Sequence, residues 1–272
     1  MLQKDLILDH YREQAAKWGA DPRSTMEDDI VRQRELEKIQ QSLELVIPTF
    51  EMPASELRVC DLGCGNGFTL KELTRRFPSS FAGVDISADM LTIARARNLE
   101  RVQWLEADIT QPGELPDRGF HIIFTERCLI NILDEDEQYA AIDNIATLLP
   151  RGGYFIMLEC FRDGLDASNK ARSELGLDPI SPPFHNLWFD KGRFLSHIDR
   201  RFRIRRTSEF CRSDQQYLGE NFLSSYYFMS RVFYPLVTRA EVARNTEFVK
   251  FFSHMPPIGN YCPTQCYILQ RI

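Results

Sequence analysis

The sequence predicts an α/β fold in which a doubly wound, mainly parallel sheet of seven strands carries helices on both faces. From residue 58 onward, short apolar segments typical of buried strands alternate with segments of helical periodicity, as in sheets built with crossover helices. The first of these strands runs into a loop with glycine at every second position, and a helix follows at once. Together these observations predict a sheet with a ligand site at the end of its first strand.

Composition fits one large domain with an insertion or a cap. The chain has 272 residues, 43% of them hydrophobic, which is enough for a full core. The net charge of −6 argues against a protein whose whole surface binds nucleic acid, but it is compatible with a local basic patch. Among the seven cysteines no Cys-x-x-Cys pair occurs, and Cys262 and Cys266 lack partners for a zinc site. We therefore expect reduced thiols, no metal and a cytoplasmic protein.

The N-terminal residues and the hydropathy pattern predict no contact with a membrane. Lys4, Asp5 and Asp9 interrupt the apolar residues at the start, which is not typical of a signal peptide. No apolar run is long enough to span a bilayer.

The glycine loop is the first candidate for a ligand site. A strand over 58–61 ends in Asp61 and passes into Gly63, Gly65 and Gly67. Without a Cβ these residues allow a tight turn and a ligand against bare backbone, and the helix start behind them presents unpaired N–H groups. A dinucleotide fingerprint is G-x-G-x-x-G, whereas here an acid at the strand end suits a positively charged ligand group better than a pyrophosphate. An ordinary glycine-rich turn and a dinucleotide site are the alternatives.

This Asp-x-Gly-x-Gly-x-Gly sequence resembles the first motif of the class I S-adenosylmethionine-dependent methyltransferases. The resemblance covers about residues 58–160, including a Pro-x-Gly-Gly turn before the fifth strand, and extends to the flanks only in architecture. It implies a Rossmann-like core, S-adenosylmethionine as cofactor and a last strand inserted antiparallel. We divide the chain into an N-terminal helical lid (1–57), the core (58–210), an aromatic-rich helical insert that caps the acceptor (211–262) and the last core strand (263–272).

Two further acids follow the next strands. The strand over 80–85 ends in Asp85, where a carboxylate can accept hydrogen bonds from both ribose hydroxyls; a helix N-cap is the alternative. The strand over 102–106 leads to Asp108 and Ile109. The resemblance implies that Asp108 takes the adenine amino group and that Ile109 covers a ring face, with a plain turn as the alternative.

The resemblance also implies the rest of the cofactor site. Backbone carbonyls of Thr125 and Glu126 would hold the cationic amino group, and Arg32, Trp18 and Tyr11 would reach the cofactor from the lid. The alternative is that Trp18 and Tyr11 pack in the core and Arg32 is solvated. The full set predicted to bind the cofactor is Asp61, Gly63, Cys64 (a small residue filling space), Gly65, Gly67, Asp85, Ile86, Met90 (against adenine), Asp108, Ile109, Thr125, Glu126, Arg32, Trp18 and Tyr11.

The catalytic residues are less well defined. A hydroxyl acceptor needs its proton removed, for which His185, Glu126 and Glu159 are the candidates, although spacing fixes none of them. Many family members carry a histidine where this chain has Ile130 or Asn131. The residues predicted to contact the acceptor are Asn131, Asn186, Tyr226, Tyr227 and His254.

The other elements follow from periodicity and turn residues. We predict the N-cap of the second helix at Ser24 or Thr25, and a long loop over 161–186 with a short helix within it. The remaining predictions are helices ending near Trp18 and over 28–46, 88–97 and 134–149, strands over 120–125, 154–159, 202–210 and 266–271, and insert helices over about 215–235 and 239–253, with Tyr217 among the insert's aromatic residues.

An arginine stripe follows the loop. Arg201, Arg203 and Arg205 alternate with apolar residues, which places them on one face of the sixth strand. A solvated edge strand is one interpretation; a landing surface for a phosphorylated acceptor or a nucleic acid is the other.

We therefore expect a methyltransferase that acts on a small molecule, with a hydroxyl of a sugar-bearing or natural-product acceptor as the target. The alternatives are an RNA or protein methyltransferase that uses the arginine stripe, a cofactor-binding protein without activity, and an NAD-dependent oxidoreductase. We expect a monomer or homodimer that contacts no membrane, with nucleic acid disfavoured as a partner.

Overall fold

A computed structural model describes residues 3–115, 119–206, 209–210, 220–238, 240 and 244–272. The helices of these residues are α1 (Gln3–Trp18), α2 (Asp29–Val46), α3 (Phe68–Arg76), α4 (Ala88–Arg95), α5 (Glu135–Leu148), α6 (Arg162–Glu174), α7 (Lys191–Ile198), α8 (Ser224–Phe228), α9 (Tyr234–Thr238) and α10 (Glu247–Phe252). The strands are β1 (Arg58–Leu62), β2 (Ser80–Asp85), β3 (Val102–Glu106), β4 (Ile122–Glu126), β5 (Tyr154–Cys160), β6 (Phe202–Arg205) and β7 (Thr264–Arg271). A π-helical turn, Met229–Phe233, joins α8 to α9.

The strands form one seven-stranded sheet in the order β3-β2-β1-β4-β5-β7-β6. Strands β1 to β5 pair in parallel, whereas β7 runs antiparallel between β5 and β6. Connections lead outward from β1 to both sides, so the gap between β1 and β4 is the point where open α/β sheets bind their ligands. The predicted fold class, with an inserted antiparallel last strand, is confirmed.

Alternate side chains of the strands build two apolar layers, one on each face of the sheet. On one face α2, α3 and the insert cover residues such as Val59 and Ile156. On the other face α5, α6 and α7 cover residues such as Cys60 and Phe155. Because β1 and β5 contribute to both layers, successive residues of these strands are buried rather than alternate ones.

Helix α2 starts at a different cap from the predicted one. Asp28, not Ser24 or Thr25, is its N-cap and accepts a hydrogen bond from the backbone N–H of Val31 at 3.2 Å. Ser24 instead accepts a hydrogen bond from the side chain of Asn66 in the glycine loop at 2.8 Å. The segment before α2 is therefore tied to the loop that follows β1.

Residues predicted as a long loop after β5 begin with the helix α6. Gly164 favoured a loop in the sequence, yet it lies in the first turn of α6. A Cβ at this position would collide with the backbone carbonyl of Cys262. The glycine therefore allows the helix to approach the segment before β7, and it does not interrupt the helix.

The insert is less regular than predicted. Among the described residues, α8, the π-helical turn and α9 form one helical run over 224–238, which overlaps the first predicted helix. The second predicted helix is represented only by the shorter α10, and β6 ends at Arg205. Tyr217, the beginning of the first predicted helix and part of the predicted sixth strand lie outside the described residues. The division into lid, core, insert and last strand stays a prediction.

Candidate active site

A cavity of about 420 Å³ lies at the carboxyl ends of β1 to β4, beneath α1. This volume falls within the range of small-molecule and cofactor sites. Its lining combines the glycine loop, the residues after β2, β3 and β4, and one face of α1. The predicted cofactor residues that line it are Tyr11, Arg32, Asp61, Gly63, Cys64, Gly65, Asp85, Ile86, Met90, Asp108, Ile109 and Glu126.

The glycine loop forms one wall of the cavity. The backbone N–H groups of Gly63 and Cys64 donate to the carbonyl of Val84, at 2.7 and 3.0 Å, which fixes the loop against β2. Gly65 has a φ of 51°, a conformation that favours glycine, and its bare Cα faces the cavity. Gly67 lies just behind as the N-cap of α3.

Asp85 connects this loop to α4. Its Oδ2 accepts a hydrogen bond from the N–H of Gly65 at 2.7 Å, and its Oδ1 accepts one from the N–H of Ser87 at 2.8 Å. Ser87 itself is the N-cap of α4. Burial raises the pKa of Asp85, although these hydrogen bonds act to lower it.

Asp61 is the most isolated acid in the cavity. It is 1% exposed, and its Oδ1 has no hydrogen-bond partner among the described residues. Burial raises the pKa of Asp61 well above its usual range, and the nearby carboxylates of Glu126 and Asp85 raise it further. A buried carboxylate of this kind fits a ligand that brings a positive charge and N–H donors.

Asp108 lies at the far end of the cavity, beyond β3. It accepts hydrogen bonds from Lys4 of α1 at 2.7 Å and from the backbone and hydroxyl of Thr110. Burial acts to raise the pKa of Asp108, but these hydrogen bonds outweigh it and lower the pKa. Ile109 and Met90 supply apolar surface beside the carboxylate.

The end of β4 brings two charged residues to the cavity. Glu126 accepts a hydrogen bond from the hydroxyl of Thr69 at 2.7 Å. Arg127 donates from Nε to Glu35 of α2 at 3.1 Å and from Nη1 to the carbonyl of Thr25 at 3.4 Å. Arg127 is thus paired with α2. Thr125 is fully buried and does not line the cavity.

The lid residues differ in how they reach the site. Tyr11 lines the cavity, and its hydroxyl accepts a hydrogen bond from the Asn131 side chain at 2.8 Å. Arg32 also lines the cavity, but its guanidinium donates to the turn before α2, at Thr25 Oγ1 and at the carbonyls of Pro22 and Met26. Trp18 lies outside the cavity lining, and the cations of Lys17 and Arg23 contact its ring.

Two of the predicted bases lie outside the cavity lining. Glu159 is fully buried and accepts backbone hydrogen bonds from Cys128, Leu129 and Ile130, at 3.1, 3.0 and 3.3 Å. It thereby holds the turn after β4, and burial raises its pKa to about 7. His185 stacks on His10 of α1 with ring centroids 4.3 Å apart, and burial lowers its pKa to about 4.

The remaining acceptor candidates also lie outside the lining, apart from Asn131. The hydroxyl of Tyr226 donates to Asp28 at 2.9 Å, so this residue joins the insert to the start of α2. Tyr227 is partly buried in the apolar layer of the insert, the N–H of Asn186 donates to the carbonyl of Pro183, and His254 is exposed. Their roles as acceptor contacts stay predictions.

Sequence reasoning did not assign Lys4, Thr69 or Glu35 to the site. Lys4 shares one face of α1 with Tyr11, at a spacing of seven residues, which is a signal that helical periodicity can detect. Glu35 is an acid four residues before the fully buried Ile39, and such an acid on an apolar face requires a partner. The identity of that partner, Arg127, depends on a contact across the fold.

The buried Glu35 makes the stability of the protein dependent on pH. Burial raises the pKa of Glu35 to about 7, although Arg127 acts to lower it. Its pKa in the unfolded chain is about 4.3. The folded state therefore holds the proton more tightly, and stability decreases as pH rises through the interval from about 4.3 to about 7.

Replacing Glu35 with glutamine should reduce this pH dependence. The change keeps an oxygen for Arg127 and removes the charge, so the loss in melting temperature from about pH 5.5 to about pH 8 should shrink by on the order of 2–4 °C. Calorimetric scans at both pH values measure it, with the exposed Glu51→Gln as control. Equal losses in wild type and Glu35→Gln would contradict the assignment.

Comparison with known proteins agrees with the methyltransferase resemblance that the sequence of the core indicates. A family model described as a methyltransferase domain matches residues 59–153. An uncharacterized methyltransferase of Mycobacterium bovis is 34% identical over 103 residues, which are 38% of this chain and 50% of that protein. A trans-aconitate 2-methyltransferase of Afipia carboxidovorans is 32% identical over 123 residues, 44% of this chain and 45% of the relative. The chain thus spans about half the length of the curated relatives it matches.

A solved structure matches nearly the whole fold. The magnesium protoporphyrin IX methyltransferase of Synechocystis, solved with bound S-adenosylhomocysteine, superposes with a TM-score of 0.56 and 15% identity, over 97% of this chain and 94% of that one. Fold and cavity define a Rossmann-like α/β domain that binds a ligand at the ends of its central strands. Together with the methyltransferase-domain model matched over residues 59–153, these findings support a class I S-adenosylmethionine-dependent methyltransferase with S-adenosylmethionine as its cofactor.

Proposed function

We propose that this protein transfers the methyl group of S-adenosylmethionine to an oxygen of a small-molecule acceptor. One observation supports the proposal: the same cavity joins the acids at the carboxyl ends of β1, β2 and β3 to a polar region after β4. The first part offers groups for a cationic nucleoside, and the second, with Arg127 and Asn131, offers polar groups for an acceptor. The trans-aconitate relative is named for a small-molecule acceptor, which supports the same class here.

The residues of the cavity fit the cofactor. The unpaired, buried oxygen of Asp61 suits the amino group and the positive charge that the cofactor carries. Gly65 leaves its backbone open to the ligand, Asp85 lies at the tip of β2 for the ribose, and Asp108 with Ile109 suits the adenine. Arg32, close to Thr25 and the glycine loop, would hold the carboxylate of the methionine part.

The cofactor, when bound, supplies a methyl group on a positively charged sulfur, so that an acceptor lone pair can form a bond to carbon as the carbon–sulfur pair returns to sulfur. The contribution of the protein is to align the acceptor and exclude water. Tyr11 and Asn131 close the cavity through their hydrogen bond, and Glu159 fixes the turn that carries Asn131.

Helix α1 is proposed to be the moving part of the predicted lid. It reaches across the cavity, pairs with Asp108 through Lys4 and with Asn131 through Tyr11, and stacks on His185 through His10. All three contacts are between side chains, so they can break and form as the helix moves. Release of these contacts would open the site to both substrates.

Among the described residues no helix combines the length and apolarity needed to cross a bilayer. Separately, the cysteine composition supports the proposal that the protein works in the cytoplasm. A sugar-bearing or natural-product hydroxyl remains a candidate target.

Calorimetry with S-adenosylhomocysteine and a methyl-transfer assay with labelled cofactor test the proposal. We expect micromolar binding, about −8 kcal/mol, and label in a small-molecule fraction of a cell extract. Label in RNA or protein would instead support the macromolecular alternative, for which the exposed Arg203 on β6 is the available surface. If S-adenosylhomocysteine binds but no labelled product forms, the protein binds the cofactor without activity. If NAD binds and S-adenosylhomocysteine does not, the protein is an oxidoreductase.

A further inference from the structure

Arg127 has an unusual backbone for its position in the cavity. It directly follows β4, and its φ of 53° lies in the left-handed region that favours glycine. Its N–H donates to the carbonyl of Leu158 in β5 at 2.8 Å, which holds this conformation. A residue kept in such a conformation costs about 1 kcal/mol or more, and such residues concentrate at functional sites. The conformation directs an arginine to the cavity.

The guanidinium of Arg127 is only partly paired. It has five N–H donors, of which one bonds to Glu35 and one makes the long contact to Thr25. Among the described residues no hydrogen bond reaches Nη2. Of the other cations of the cavity, Lys4 is paired with Asp108. Arg32 is bonded to the turn before α2 through both terminal nitrogens and keeps only an Nε without a hydrogen-bond partner among the described residues. Arg127 therefore has donors left for a ligand.

Glu35 does not neutralise this arginine fully. One of its oxygens, Oε1, has no hydrogen-bond partner among the described residues, and burial raises the pKa of Glu35 to about 7. Near neutral pH part of the population therefore has a protonated Glu35 beside a charged Arg127. A second anion on the cavity side would complete the pairing of the guanidinium.

The position of Arg127 in the sheet indicates which ligand it meets. In the order β3-β2-β1-β4-β5, the acids Asp108 and Asp85 follow the first two strands, and Asp61 lies on the third. Arg127 lies beyond Asp61, next to β5, and so on the side away from the proposed nucleoside site. Arg32, closer to the glycine loop, is available for the carboxylate of the cofactor.

The cavity also offers little to remove a proton from a hydroxyl. No histidine is among its described lining residues. Of its carboxylates, Asp85, Asp108 and Glu126 accept hydrogen bonds, Asp61 is assigned to the cation of the cofactor, and Glu137 is exposed to solvent. An acceptor that arrives ionised needs no base. This favours an acid over an alcohol.

Resting on the proposed function, we infer that Arg127 binds a carboxylate of the acceptor and that the acceptors of this protein are organic acids. Planar carboxylates match the fork of the guanidinium, which can donate two parallel hydrogen bonds to them. Tyr11 and Asn131 lie beside this position as neutral polar partners. Arg127 is thus a residue that determines acceptor specificity.

Calorimetry of the full chain saturated with S-adenosylhomocysteine tests this inference. The probes are trans-aconitate and benzoate, each compared with its neutral counterpart, the trimethyl ester or benzamide. We expect wild type to bind at least one acid about tenfold more tightly than its neutral form. Arg127→Gln should lose about tenfold in acid affinity, and Arg127→Lys should keep part of it. Arg193→Gln, which changes an arginine paired with Glu135 outside the cavity lining, is the control.

The carboxylate that Arg127 binds could also belong to the cofactor rather than to the acceptor. The affinities of two nucleosides, one with and one without the amino-acid part, distinguish these cases. If Arg127→Gln weakens the binding of S-adenosylhomocysteine but not that of methylthioadenosine, which lacks the amino-acid part, the arginine holds the cofactor and the inference is wrong. Equal affinities of wild type and Arg127→Gln for the acids, or no preference for acids in wild type, also overturn it. Failure of wild type to bind S-adenosylhomocysteine would instead overturn the proposed function.

Folding of the variant is controlled with a second change. Because Arg127→Gln leaves Glu35 buried without its partner, the double variant Arg127→Gln with Glu35→Gln removes both charges. It should melt close to wild type and still lose the acid affinity. Retention of acid binding by a folded double variant would overturn the inference.

Discussion

Replacing Gly65 with valine should reduce the affinity for S-adenosylhomocysteine by about 100-fold or more, equivalent to about 2.7 kcal/mol. A branched side chain here would occupy the cavity wall and would contact Thr25, whose Cγ2 lies 3.0 Å from an added Cβ. It would also disfavour the backbone conformation at a φ of 51°, which allows the N–H to reach Asp85. Calorimetry measures the affinity directly.

Gly152→Val is the matched control for the backbone effect. Gly152 has a φ of 84°, and an added Cβ would meet no atom within 4 Å, so this variant carries the strain without touching the cavity. It should lose stability and keep its affinity. If Gly65→Val binds within about threefold of wild type, the glycine loop is not the cofactor site.

The second large effect is expected at Asp61, where stability and binding should change in opposite directions. Replacing Asp61 with asparagine removes a charge that is 1% exposed, has an unpaired Oδ1 and lies near Glu126 and Asp85. The ligand-free protein should gain on the order of 1–3 kcal/mol at about pH 7.5. The gain should be smaller at low pH, because the raised pKa means that wild type becomes protonated there.

The same change should lower the affinity for S-adenosylhomocysteine by about tenfold, because a charge-assisted hydrogen bond becomes a neutral one. Thermal unfolding and calorimetry measure the two effects, and the exposed Asp89→Asn controls for the loss of an acid. A variant that binds as tightly as wild type, or that melts at a lower temperature, would contradict the role of Asp61.

The sequence predicted the half of the site that depends on local pattern. Asp61, Gly65, Asp85 and Asp108 all lie at or just beyond the carboxyl ends of strands, and parallel strands bring those ends to one edge. Their position is thus a consequence of periodicity and glycine spacing, both readable within a few residues.

The other half depends on contacts between distant segments. The pairing of Lys4 with Asp108 joins residues 104 positions apart, and that of Arg127 with Glu35 joins residues 92 apart. No local pattern specifies such partners. The aromatic insert shows the same limit, because the hydroxyl of Tyr226 bonds to Asp28 rather than facing the cavity. A ring that packs a helix start and a ring that binds an acceptor look alike in a sequence.

The place of β7 in the sheet has a consequence for biosynthesis. Because β7 separates β5 from β6, neither of those strands gains its antiparallel neighbour until residues 264–271 have left the ribosome. The nascent chain therefore exposes two open strand edges while the insert is being made, a state that invites chaperone binding and aggregation. Substitutions within β7 should consequently lower the yield of folded protein more than they alter the affinity of the molecules that do fold.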